Sequence, residues 1–391
     1  MWKTNKHIFF HKFIKPILRP FFFSKNNFKS KIYKLPTSNR PYLILSNHQT
    51  TDDPCLLIGS FKDIIYPVTS KDFIPIKLRK LIHEYTGPIY KAKTLKDLGA
   101  VKEILQVLRE GNNVLIYPEG NRTFSGELCY ISDSTIKLII KTKANICFYN
   151  FNGGYGYDPR YSTSKRKGKF NGEIRTIIPY EEIEKMSFEE IKKCVTENLS
   201  VIEAPTNNLY KSNNRAEKLE RALYRCPICN SINTLESKGN TIICHKCSLE
   251  VQYNANLTFS STNPNFKHIT VADWFKEQED FIRNYEIKKD EIIFEEGNVK
   301  LEQLFFDHEV LITNGNLSMN DAYIQVNDYR LNFNEVKEMT VSGKQTLIVY
   351  LGNDSYRISS TKVGFNPIKY MQMYYHITNT KLGFKDEFLG I

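Results

Sequence analysis

Four cysteines constrain this chain more than any other feature. Cys226 and Cys229 form one CxxC pair and Cys244 and Cys247 a second, with fourteen residues between them. Four thiolates at that spacing satisfy a tetrahedral zinc ion unaided, and the intervening SINTLESKGNTII has the length of a ribbon hairpin. All four ligand positions are then filled by protein, so the predicted zinc is structural and leaves no open place for water or substrate. His245, inside the second knuckle, is read as a spectator. Between Cys226 and Cys247 the charges nearly cancel, Lys238 and Lys246 against Glu236, which offers little grip on phosphates; no nucleic acid partner is expected.

The periodicity differs on the two sides of this module. From Pro41 onward, short apolar runs (YLILS, DIIYPVTS, GPIY, NVLIYP, NICFYNF) alternate with helical stretches. The clearest of these is Thr94 to Glu110, where Leu95, Leu98, Val101, Ile104, Leu105 and Leu108 recur at steps of three and four. Strands alternating with helices predict an α/β layered domain, a mixed sheet covered by helices, over residues 36–200. It closes on the helix SFEEIKKCVTENL, which Ser187 and Glu190 open with a capping-box signature. A polar linker over Glu203 to Asn214 and a charged helix AEKLERALYR lead into the zinc ribbon, placed with that helix at residues 215–260. Residues 285–391 then alternate with period two, punctuated by Gly315, Gly343 and Gly352, and end on an amphipathic helix. That pattern predicts a small β-rich domain of the pleckstrin-like kind.

The first 35 residues form a fourth region. Met1 to Thr51 holds ten Lys or Arg and no acidic residue, although the whole chain balances 54 Lys plus Arg against 43 Asp plus Glu. Interleaved are Phe9, Phe10, Phe13, Ile17, Leu18, Phe21, Phe22 and Phe23, the composition of a basic segment lying in a lipid interface. Each cation near an anionic leaflet contributes on the order of 1 kcal/mol. No apolar run reaches the ~18 to 20 residues that a spanning helix needs, which excludes a multi-spanning membrane protein. The eight cysteines, half of them in CxxC pairs, and a start with neither an uncharged core nor a small-residue cleavage site lead us to expect a reducing cytosol. The expected location is cytoplasmic, peripheral on the inner face of the cell membrane.

Two polar segments stand at predicted strand ends, SNHQTTDDP and YPEGNRTFSG. Parallel sheets gather ligands at the carboxyl edges of their strands, so segments seventy residues apart can face one crevice. A neutral imidazole is suited to drawing a proton from a hydroxyl at neutral pH, which makes His48 the candidate base. Asp53 can hold the other ring nitrogen if the chain turns between them. The pair Asp53-Pro54 reads as N-cap and first residue of a helix that makes this turn. Arg122 offers a planar fork for phosphate, Gly120 permits close backbone approach, and Glu119 can position the acceptor or orient Arg122.

His48, Asp53 and the run Glu119-Gly120-Asn121-Arg122-Thr123 together resemble the first and third blocks of the glycerolipid acyltransferases of the 1-acylglycerol-3-phosphate (PlsC) type. The resemblance covers residues 35 to 180. GPIYKAK stands at the family's middle block, so Gly87, Ile89 and Tyr90 match, while Lys93 replaces the usual arginine and keeps its charge without the bidentate geometry. Asn121 and Thr123 replace the usual threonine and serine, and the proline of the last block is missing. The resemblance implies transfer of a fatty acyl chain from acyl carrier protein or coenzyme A to 1-acyl-glycerol-3-phosphate, giving phosphatidate. His48 and Asp53 would be catalytic; Glu119, Gly120, Arg122, Lys93 and Gly87 would bind substrate. The implied partners are the phospholipid surface, the lysophospholipid acceptor and the acyl thioester. The loop GGYGYDPRYSTSKRKGK adds Arg160, Lys165, Arg166, Lys167 and Lys169, either as contacts for headgroups or an acidic carrier or, equally, as a plain solvated loop, and Cys55 is the one cysteine worth testing as a nucleophile. The competing expectation is a non-catalytic membrane-associated scaffold that keeps the fold and binds partners through the ribbon and the C-terminal domain.

Overall fold

The computed structural model describes residues 2–70, 74, 76–91, 98–305, 308–361 and 365–384. They divide into two compact units. The first comprises residues 1–123, 127–157 and 168–203. Its sheet contains β1 (Phe28–Lys29), β2 (Tyr42–Ser46), β3 (Ile65–Ser70), β4 (Ile89–Lys91), β5 (Asn113–Ile116), β6 (Asn145–Asn152) and β7 (Phe170–Ile178), in the order β1-β7-β6-β2-β5-β3-β4. Strands β6, β2, β5, β3 and β4 run parallel, and β7 returns antiparallel to β6. The sheet is therefore mixed, with one carboxyl edge shared by five strands. Neither β1 nor β7 was among the predicted strands: β1 is two residues long, and β7, FNGEIRTII, lies partly outside the core and carries a broken alternation.

Helices cover the sheet. On one face, Ala100, Ile104, Val107 and Leu108 of α5 (Leu98–Arg109) meet Ile136 and Ile139 of α6 (Asp133–Thr142) and Ile191, Val195 and Leu199 of α9 (Phe188–Leu199) over Leu43 and Leu45. The α9 capping box forms as the sequence predicts, with Ser187 Oγ accepting from Glu190 N and Glu190 returning to Ser187 N at 2.8 Å. Helix α3 (Asp53–Gly59) follows the His48 loop and packs against Phe23 of the N-terminal arm at Gly59. Helix α4 (Ile76–Thr86) precedes β4, and the short α7 (Gly154–Tyr157) and α8 (Tyr180–Ile183) close the unit.

The arm is built from α1 (Asn5–Phe9), a π-helical turn over Phe10–Ile14 and α2 (Lys15–Lys25). Its polarity is inverted relative to an ordinary surface helix. His7, His11 and Lys15, four residues apart, are buried, and the Lys15 ammonium donates to the carbonyls of Phe61 and Asp63, both at 2.9 Å. Phe9, Phe13, Ile17 and Phe21 face outward, Ile17 being 73% exposed. Among the described residues, no helix is long and apolar enough to cross a membrane.

The second unit comprises residues 124–126, 158–167 and 204–391. A four-stranded antiparallel sheet, β8 (Leu235–Lys238), β9 (Thr241–Cys244), β10 (Glu250–Tyr253) and β11 (Phe259–Ser260), carries the cysteine module. Helix α10 (Val271–Arg283) follows. Next comes a seven-stranded antiparallel sheet in the order β15-β14-β13-β12-β18-β17-β16: β12 (Phe294–Leu304), β13 (Glu309–Met319), β14 (Tyr323–Val326), β15 (Tyr329–Asn332), β16 (Val336–Ser342), β17 (Thr346–Leu351) and β18 (Asp354–Ser359). It packs with α11 (Pro367–Leu382), opened by an Asn366 cap and buried continuously from Pro367 to Ile377. The predicted charged helix over AEKLERALYR does not form; a single 3-10 turn, Leu219–Arg221, replaces it. Lys218 stands at φ +59°, outside helical backbone, and the Glu217 carboxylate is held by the hydroxyls of Ser162, Thr163 and Ser164.

Candidate active site

β2 ends at Ser46 and β5 at Ile116, so SNHQTTDD and YPEGNRT leave adjacent strands at the same edge. His48 Nδ1 lies 3.0 Å from Asp53 Oδ2. The same oxygen accepts the backbone N–H groups of Gln49, at 2.7 Å, and Thr50, at 2.9 Å, while Oδ1 accepts the Thr50 hydroxyl. Asp53 is wholly buried and is the first residue of α3, preceded by Asp52 at the cap position. The sequence predicts one carboxylate oxygen on His48, which the structure shows, and the other capping the helix, which it does not. The carboxylate instead turns back onto the loop it follows, and the capping position makes no side-chain hydrogen bond. With Nδ1 against a carboxylate, Nε2 is the ring nitrogen left to exchange a proton. The Tyr117 ring stacks on the imidazole with centroids 4.3 Å apart.

Glu119 joins the two segments. Its Oε1 accepts His48 N at 2.7 Å and its Oε2 accepts Cys129 N at 2.8 Å. Burial pushes its pKa up to about 7, against the opposing pull of those two N–H donors. Arg122 donates from Nε to Gln49 O at 2.9 Å and from a terminal nitrogen to Thr51 Oγ1 at 2.8 Å. Gly120, exposed at φ +72°, provides the left-handed turn between them. His48, Asp53, Glu119 and Arg122 thus form one hydrogen-bonded cluster.

Other predicted residues go elsewhere. Gly87 precedes β4 and so lies at the amino edge of the sheet, opposite the edge that carries His48; there a Cβ would come within 2.6 Å of the His7 ring. It is a packing residue, a correction to its predicted substrate contact. Lys93 lies outside the described residues. Within the second unit Arg160 is buried and donates to the carbonyls of Val341, at 2.8 Å, and Gly343, at 2.9 Å, while Arg166 is buried against Tyr161 and the Arg215 carbonyl. These two guanidiniums are occupied by backbone, which corrects their reading as ligand contacts; Lys165, Lys167 and Lys169 are exposed. Cys55 is exposed on α3, and the neighbouring Asp52 carboxylate raises its thiol pKa, which disfavours a nucleophilic thiolate.

Sequence reasoning missed four participants. Asn47 clamps the cluster to β6, exchanging both backbone hydrogen bonds with Phe151 at 2.8 and 3.0 Å. Gln49 donates through Nε2 to Glu203 Oε1 at 2.8 Å and accepts Gly154 N at 2.9 Å. Tyr117 was detectable as the residue ending a predicted strand. Glu203, 154 positions from Gln49, gives no local signal.

In the second unit, the four Sγ atoms of Cys226, Cys229, Cys244 and Cys247 all lie within 4.8 Å of one another. The Cys226–Cys247 and Cys229–Cys244 separations of 3.6 and 3.7 Å match the ~3.8 Å edge of a tetrahedron with metal–sulfur bonds of ~2.3 Å. The cluster can hold a metal ion. His245 stays out of it, paired with Glu236.

The acyltransferase family model matches residues 25–149, the segment that contains the whole His48 cluster. Over that segment the chain is similar to the acyltransferases. A curated relative, the 1-acyl-sn-glycerol-3-phosphate acyltransferase of Borreliella burgdorferi, is 26% identical over 115 residues, 28% of this chain and 46% of the relative; the chain thus spans about half of its length. Among solved structures, the crystal structure of the 1-acyl-sn-glycerophosphate (LPA) acyltransferase PlsC from Thermotoga maritima is 16% identical. It covers 48% of this chain and 79% of that one, with a TM-score of 0.40.

Proposed function

We propose that this chain is an O-acyltransferase that moves a fatty acyl group from an acyl carrier protein or coenzyme A thioester to the free hydroxyl of 1-acyl-glycerol-3-phosphate, forming phosphatidate. The observation that carries the reading is the contact of His48 Nδ1 with Asp53 inside a cluster that also fixes Arg122. His48 Nε2 takes the acceptor's hydroxyl proton as its oxygen adds to the thioester carbonyl. The tetrahedral adduct collapses with cleavage of the carbon–sulfur bond, and the proton passes from His48 to the departing sulfur. Asp53 fixes the imidazole tautomer and offsets its transient charge. Arg122 holds the acceptor's phosphate, and the turn at Gly120 gives that phosphate room beside the backbone.

In this reading the outward face of the arm, Phe9, Phe13, Ile17 and Phe21, rests at the acyl boundary of the inner membrane leaflet, with the arm's lysines on anionic headgroups. On the same reading the enzyme is cytoplasmic and peripheral to the membrane that supplies its acceptor. The four cysteines hold zinc, which ties the two knuckles together and takes no part in the reaction. The seven antiparallel strands and closing helix serve as a pleckstrin-like accessory domain.

The test is mass spectrometry of lipids formed when the purified full chain is given a panel of lysophospholipids and glycerol phosphate with each donor class. New phosphatidate that depends on His48 supports the reading. No acylated product from any pair, by protein that remains folded, would sink it.

A further inference from the structure

We infer that Glu203 is a positioning residue for this centre, holding Gln49 so that the groups meeting at its backbone keep their geometry; the inference rests on the acyltransferase reading. Gln49 is the joint of the cluster. Its N–H donates to the Asp53 oxygen that faces His48, at 2.7 Å, and its carbonyl accepts Arg122 Nε at 2.9 Å. The group proposed to orient the base and the group proposed to hold the phosphate therefore share one peptide segment. A small rotation of Gln49 moves both together.

Two contacts fix its side chain. The amide NH2 donates to Glu203 Oε1 at 2.8 Å and the amide oxygen accepts Gly154 N at 2.9 Å, which defines which way round the amide sits. The fit is close, since a Cβ on Gly154 would come within 2.6 Å of the Gln49 amide oxygen. Glu203 Oε1 also accepts Gly153 N at 2.7 Å, so the carboxylate ties the end of β6 to the His48 loop. Its second oxygen is buried with no hydrogen-bond partner among the described residues, and burial raises its pKa. Burying a carboxylate is a costly way to anchor a loop, and this one ties the side chain of Gln49, next to His48, to the end of β6.

The experiment uses the full chain in the acyl-transfer assay, comparing wild type with Glu203→Ala, Glu203→Gln, Gln49→Ala and the double alanine variant, with thermal unfolding followed in parallel. Glu203→Ala is expected to lower kcat by about tenfold to a hundredfold, as misplacement of a reacting group does, and to raise the acceptor's KM several-fold. Glu203→Gln keeps an acceptor oxygen for both donors and should recover kcat to within about threefold of wild type. The double variant should be no worse than about twofold beyond the weaker single, because both remove one link. Wild-type kcat and KM in Glu203→Ala, a loss that only tracks the unfolded fraction, multiplicative singles, or failure of Glu203→Gln to recover would each overturn the positioning role. If Glu203→Ala does not fold, Gln49→Ala alone reads the same link, and unchanged kinetics there overturn it. Wild type and His48→Ala separate the two levels: no transfer by the folded wild-type chain overturns the acyltransferase reading itself, whereas transfer that is lost in His48→Ala beside unaffected Glu203→Ala kinetics overturns Glu203 alone.

Discussion

The His48 cluster and the four-cysteine cluster are built alike and end differently. Each draws its residues from two chain segments and surrounds them with protein, but the thiols point at one another and are consumed there. In the first unit the buried bonds belong to Asp53 and Glu119, and what they leave is an imidazole with 19% of its side chain exposed, beside a guanidinium at the carboxyl edge. A closed donor set stabilises; a donor set with one face open can react.

That contrast can be broken in several ways, the largest first. If the cysteines hold zinc as proposed, a strong chelator or Cys226→Ser should destabilise the second unit by on the order of 10 kcal/mol, seen in calorimetry as loss of its cooperative transition, with the chelator releasing zinc. His48→Ala should do the reverse: transfer falls about a thousandfold, while the unfolding midpoint moves by no more than about 2 °C, because the ring makes one side-chain hydrogen bond at a solvent-facing position. Glu119→Gln sharpens the comparison inside the cluster. Both carboxylate oxygens accept a backbone N–H, so an amide must point its NH2 at either His48 N or Cys129 N; denaturant titration should show a loss of about 1–3 kcal/mol.

The smallest effect concerns the arm. Burial and the nearby Lys15 ammonium lower the His11 pKa from its ordinary 6.5 to about 3. The folded protein therefore binds fewer protons than the unfolded chain between those values. The stabilisation is fully present above pH 6.5 and is lost as pH falls through the window, by up to about 1.4 kcal/mol per pH unit. Hydrogen exchange over residues 5–25 should quicken on going from pH 7 to 5 after correction for intrinsic rates. His11→Phe, which cannot take a proton, should flatten that dependence; an equally steep one in the variant would exclude His11 as the cause.

What could be read without coordinates was local. The strands YLILS and NICFYNF, the Ser187 capping box and the two CxxC knuckles depend on neighbours within a few residues, and each formed where its pattern stood. The segments that misled were ones whose local preference was overruled. AEKLERALYR has good helix formers, but Glu217 is taken by three hydroxyls and Lys218 turns left-handed. Arg160 and Arg166 sit in a basic, aromatic loop that could equally be solvated or meet a ligand, yet backbone carbonyls of the second unit accept from both.

The sequence by itself determined the chemistry on offer: an imidazole five residues before an aspartate, an acid and an arginine after a second strand, and four thiols at metal spacing. Tertiary structure alone decided the strand order that sets β2 beside β5, the removal of Gly87 to the opposite edge, and the meeting of Gln49 with Glu203 across 154 positions. The reason is physical. Side-chain type and short-range spacing are carried by the chain itself, whereas burial, and with it the demand that every enclosed polar atom find a partner, arises only when distant segments pack together.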